Sequence, residues 1–190
     1  MDSLTQYALA YALTTSAGLR GLLTLAAVSV AIHFGLFTPP ESFAWLGSSE
    51  VTLALVGVAL VDLIGDKIPV IDHALHAVQA IVKPAAAAIL VGGVTHTHSS
   101  GELYMLMALG ALNAAGVHAA SAAARGASSL FTGGFGNPVL SVVEDGISIF
   151  MIVLAFLAPV IAAIIAIVIV VFIVRTARAI WKRGSSTAPT

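Results

Sequence analysis

The chain contains no cysteine, which removes disulfides, thiolate metal sites and thiol nucleophiles together. Charge is scarce too. Only 9% of the 190 residues are Asp, Glu, Lys or Arg, against roughly 25% in a soluble domain, so the sequence cannot solvate the surface of a globule. No Lys or Arg precedes Arg20. The N-terminal segment therefore lacks the basic region of a cleaved signal peptide and is expected to be retained as a helix. The net charge of −1, with no basic run before the C-terminus, gives no ground for nucleic acid binding. There is no Walker A or dinucleotide fingerprint, hence no cofactor to expect, and no Ser/His spacing argues for an enzyme.

What the chain has in abundance is Ala, Val, Leu, Ile and Gly: 59% of residues are hydrophobic, which predicts an all-α integral membrane protein in the lipid bilayer. A spanning helix needs about 20 apolar residues, and six candidates can be marked. The first covers about 3–37, interrupted at Thr14-Thr15-Ser16-Ala17-Gly18-Leu19-Arg20-Gly21. The second covers about 51–82, broken at Gly65-Asp66-Lys67-Ile68-Pro69, and the third starts near Lys83-Pro84 and ends at Thr95. The fourth covers about 103–130, the fifth 139–157 and the sixth 158–181. Residues 1–183 form one membrane domain, and the Ser/Thr/Pro tail 184–190 is expected to be disordered.

Basic residues suggest an orientation. Arg175, Arg178, Lys182 and Arg183 cluster near the C-terminus, while the loops 38–50 and 96–102 contain no Lys or Arg. Under the positive-inside rule, six spans place both termini in the cytoplasm of a plasma (inner) membrane protein. The halves, about 3–95 and 103–182, also share an order: a small-residue break (Ser16 to Arg20; Ala114 to His118), then acids (Asp62, Asp66, Asp72; Glu144-Asp145), then a proline (Pro84; Pro159). Three spans per half would make the second an inverted copy of the first, the plan of many secondary transporters.

The ionisable residues inside apolar stretches carry the functional signal. A charge near the bilayer centre costs several kcal/mol, so it faces a partner or a watery cavity. Asp62 and Asp66 share one helix face at i, i+4 spacing, next to carbonyls that Pro69 leaves free. With Glu144 and Asp145 they are the expected substrate or ion-binding residues. Glu144 and Asp145 point about 100° apart on a helix, so only one of them is expected to face the core comfortably. Arg20 and Lys67 are expected to balance charge, Asp72 to cap a half-helix and His118 to supply a group titrating near neutrality. The five acids against two bases favour a small cation or protons over an anion. His73 with His76, and His96 with His98, leave the metal question open, since none forms a recognised zinc motif.

The pattern Ser16-Ala17-Gly18-Leu19-Arg20-Gly21, Asp66-Lys67-Ile68-Pro69 and Asp72 resembles an uncharacterised family of small bacterial multi-pass membrane proteins. Asp62-Leu63-Ile64-Gly65-Asp66-Lys67 is also similar to the Glu-x-Gly-Asp-Lys-Thr/Ser signature of two-repeat calcium/manganese–proton exchangers. It differs by one inserted residue, Asp for Glu, and Ile68 for the hydroxyl residue. The combined expectation is a small secondary transporter working by alternating access through a midplane acidic site. The rivals are an ion channel with the same lining and a scaffold or lipid-interacting protein whose buried charges only lock its helices. So small a chain leaves room for a homodimer.

Overall fold

A sequence of long aliphatic stretches punctuated by Gly and Pro can satisfy its backbone in lipid only as helices or a closed barrel, and helices are what form. The computed structural model describes the backbone of residues 1–65, 69–133 and 135–185, and the side chains of these except 69–77, 131, 173 and 176–185. The elements are α1 (Ser3–His33), a short 3-10 helix (Glu41–Gly47), α2 (Ser49–Gly65), α3 (Pro69–Val94), α4 (Ser100–Thr132), α5 (Asn137–Leu157) and α6 (Pro159–Ser185). Among the described residues there is no strand. By length and composition α1, α4 and α5 could each cross a membrane. The 3-10 helix with α2 qualifies only as a pair bent by 61°. Leu53, Leu112, Phe150 and Phe172 stand outward and exposed, as side chains facing lipid do.

Length is a poor guide to the path of α1. At Arg20 the backbone leaves helical geometry (φ −135°, ψ 78°), and the chain folds back on itself. Ser16 Oγ and Thr24 Oγ1 lie 3.0 Å apart, although eight residues of straight helix would separate them by about 12 Å along the axis. Thr24 Oγ1 also donates to the Arg20 carbonyl at 2.8 Å, which satisfies a backbone group that the break sets free. Both ends of α1 consequently lie at the same end of the bundle. Met1, Gln6, Leu36, Phe37, Thr38 and His96 line one cavity of about 330 Å³. The sequence interruption at 14–21 is thus a reversal, and α1 is a buried hairpin. Residues 12–21 are buried without a gap, with Leu9, Leu13 and Val28 in a core shared with Leu46, Leu90, Met151 and Ala166.

Neighbouring helices fix the directions. His96 N–H donates to Gln6 Oε1 at 2.9 Å, while Gly21 sits against Lys83, so α3 runs antiparallel to the first arm of α1. Tyr7 donates to Glu102 at 2.8 Å, Asn113 to Thr15 at 2.9 Å, and Gly18 faces Val117, so α4 runs parallel to that arm. The second arm returns to the 3-10 helix, where Ser29 Oγ donates to the Leu46 carbonyl at 2.5 Å and Phe43 lies on Gly92.

Two expectations are corrected here. The third helix does not begin at Lys83-Pro84: α3 starts at Pro69 and carries Pro84 inside. Nor does an inverted pair of three-helix halves describe the packing. The leading helices of the two halves start at the same end and run side by side, whereas inverted copies would run oppositely. The tail 184–190 lies outside the described residues from 186 onward.

Candidate functional site

Three helices aim polar faces at the apex of the α1 hairpin. On α4, His118, Ser121 and Arg125 follow i, i+3, i+7 spacing and share one face, and all three are buried. On α5, Ser141, Glu144 and Ser148 repeat the same spacing and are also buried. On α3, Gln79 and Lys83 are four apart, with Lys83 only 2% exposed.

Arg20 lies at the centre and is 1% exposed. Its Nε stands 2.5 Å from Asp145 Oδ1, and its Nη2 donates to Ser141 Oγ at 2.7 Å and to the Ser141 carbonyl at 3.2 Å. Glu144 Oε2 is 4.0 Å away and accepts from Arg125, while Glu144 Oε1 accepts from Ser121. The two adjacent acids, expected to compete for one face, are therefore both used. Asp145 turns to α1 and Glu144 to α4, because the bases flank α5 on two sides. Lys83 Nζ is 3.2 Å from His118 Nδ1. Gln79 Nε2 donates to Asp62 Oδ1 at 2.7 Å. Lys83 is close enough to interact electrostatically with Glu144, Arg20, Arg125 and Asp62, so these groups form one network.

The sequence reading found Arg20, Asp62, His118, Glu144 and Asp145, and the structure brings them together. It missed Lys83 and Arg125, which were not among the expected site residues. With them the described interior holds three bases, Arg20, Lys83 and Arg125, against three acids, Asp62, Glu144 and Asp145. Asp66 and Lys67 lie outside the described residues, as do the side chains of Asp72, His73 and His76. Among the described residues, no three His, Asp or Glu converge as metal ligands.

Two cavities flank the network. A crevice of about 350 Å³ enters between the first arm of α1, α3 and α4, with Tyr7, Tyr11, Thr14, Thr95, Leu106 and Asn113 in its wall. Its floor at Thr14 lies six residues, about 9 Å of helix, before Arg20. The crossing of Gly18 over Ala114 and Val117 lies between them. That contact is so close that a Cβ on Gly18 would come 2.5 Å from Val117 Cβ. On the other side of the hairpin, an apolar groove of about 680 Å³ runs between the second arm, α2 and α5, with Leu23, Leu63 and Phe156 in its wall.

No curated protein and no solved structure matches the chain. Residues 7–179, which include all but the first turn of the hairpin, the network and both cavities, match a family model described as a domain of unknown function, DUF4126. The chain belongs to that family.

Proposed function

We propose that this protein is a small secondary transporter that moves a cation, a proton or both past the network at the hairpin apex. The observation that carries this reading is a cluster of paired ionisable groups buried in an apolar bundle at a broken helix, one short step from the floor of a crevice. Broken helices at buried charges are where secondary transporters place their sites, and a charge-matched network can exchange partners without holding a bare charge in lipid. In this reading Glu144 and Asp62 exchange protons, Arg20, Lys83 and Arg125 hold the balance, and the Gly18–Val117 crossing is the barrier between crevice and network.

The proposed orientation follows from the fold-back. If α2 to α6 each cross the bilayer, α1 enters and leaves from one side, and the termini lie on opposite sides. The end of the bundle holding residues 1–6, 34–48 and 96–102 has no Lys or Arg, whereas Arg175, Arg178, Lys182 and Arg183 lie toward the other. The positive-inside rule then puts the C-terminus in the cytoplasm and the N-terminus outside, revising the expectation that both are inside.

A second reading is favoured by a specific observation: both Glu144 and Asp145 already pair with arginines, as charges that only lock helices together would do. Proteoliposomes loaded with a pH-sensitive dye separate the readings. A transporter gives proton or cation-coupled flux that Glu144→Gln abolishes while the purified variant still elutes as a folded species. Flux that is absent, or unchanged by Glu144→Gln and Asp62→Asn, leaves the locking role. Unitary currents would indicate a channel.

A further inference from the structure

The crevice between α1, α3 and α4 has a chemical bias that follows from where its protons go. Thr14 Oγ1 donates to the Tyr11 carbonyl at 3.0 Å and Thr95 Oγ1 to the Val91 carbonyl at 2.6 Å, so each hydroxyl has spent its only proton. Tyr7 spends its own on Glu102 at 2.8 Å. Asn113 Nδ2 donates to Thr14 Oγ1 at 3.0 Å and to Thr15 Oγ1 at 2.9 Å. That assignment of the amide is forced: the Thr15 hydroxyl also donates to the Tyr11 carbonyl, so both hydroxyls offer only lone pairs, and the nitrogen must face them. Four of the five polar side chains in the wall therefore present acceptors. These are Asn113 Oδ1, the remaining lone pairs of Thr14 and Thr95, and the Tyr7 oxygen. A ligand fitting such a wall must bring its own donors, because an acceptor left facing an acceptor loses its hydration for nothing.

Charge beside the crevice adds a second constraint. Glu102, which accepts from the Tyr7 hydroxyl of the wall at 2.8 Å, puts a carboxylate next to the crevice. A cleft with one sign of charge nearby concentrates the opposite sign. Tyr7 and Tyr11 put aromatic rings along the path, and such rings attract ammonium groups. A volume of about 350 Å³ is at the small end of ligand sites.

We infer that this crevice binds a small organic cation bearing N–H donors, a primary alkylammonium of a few carbons, with its ammonium on Asn113 Oδ1 and the adjacent Thr14 oxygen. This names the cargo class of the proposed transporter and rests on that reading only for movement; binding stands or falls by itself.

The test is calorimetric titration of purified protein with propylammonium, 1-propanol, tetramethylammonium and propionate. Propylammonium is expected to bind most tightly, propanol and tetramethylammonium (held by the rings without hydrogen bonds) more weakly, and propionate not at all. Asn113→Leu should weaken propylammonium at least about tenfold, the value of a hydrogen bond to a charged group. Thr14→Val, close in shape, should weaken it severalfold, and Phe156→Ala in the apolar groove should leave it unchanged. If Asn113→Leu does not fold, Thr14→Val decides. The inference is overturned if propylammonium fails to bind, if tetramethylammonium binds equally, or if both crevice variants bind like wild type. Binding without proton flux in liposomes sinks the transporter and keeps the site; flux without binding does the reverse.

Discussion

α1 and α4 invite comparison because they are near twins on paper. They are 31 and 33 residues long, rich in small side chains, with a basic residue at mid-course, and they run side by side. Yet α1 folds back into a buried hairpin, while α4 runs on as one helix with Leu109, Leu112 and Leu130 exposed along its outer side. Small residues permit a break without imposing one. What α1 has in addition is a set of groups that satisfy the break: the Ser16–Thr24 pair, the Thr24 bond to the Arg20 carbonyl, and acids on α5 that take up the Arg20 side chain. Gly116 of α4 has open space around it, whereas Gly18 is pressed against α4. Polar satisfaction, rather than glycine content, separates the two.

The sharpest way to break the comparison is a distance. The chain has no native cysteine, so spin labels can be placed at Gln6→Cys and Thr38→Cys alone. A continuous helix would hold them about 48 Å apart; the hairpin predicts less than half that by pulsed electron resonance, and a long distance would refute the fold-back. Next in size is the apex charge. Arg20→Met should cost about 3–5 kcal/mol in detergent melts because it strands buried acid, and adding Asp145→Asn should recover much of the loss. His118→Phe, at the corresponding place in α4, should cost far less. Gly18→Ala should destabilise by about 1–3 kcal/mol through overpacking, while Gly116→Ala should be neutral or stabilise by up to about 1 kcal/mol. Equal effects would erase the distinction between the helices. Smallest is Thr24→Val, which should cost about 1 kcal/mol for its hydrogen bonds.

Much of this was legible in the residues and some was not. Apolar runs placed α1, α4, α5 and α6 within a few residues but divided α2 from α3 at the wrong point, and the small-residue break marked the right point in α1. Hydropathy records that a helix is interrupted but carries no angle, so a bend and a reversal look the same. That ambiguity misled the path of α1, and with it the relation between the halves. Pro84 looked like a helix start because proline is at home in the first turn. Inside a membrane bundle, neighbouring groups can tolerate it mid-helix, and Lys83 beside it went inward with it. Arg125, in the second half of α4, was not among the expected site residues. The signal that would have found it was the His118, Ser121, Arg125 spacing, read together with Ser141, Glu144, Ser148.

The hairpin also dictates an order of assembly. Its tip carries a guanidinium whose acceptors, Ser141 and Asp145, are made more than a hundred residues later. Three helices, α2 to α4, separate the tip from those acceptors in the chain, and lipid alone will not hold the cation. The tip thus reaches its native seat only when α5 packs against it.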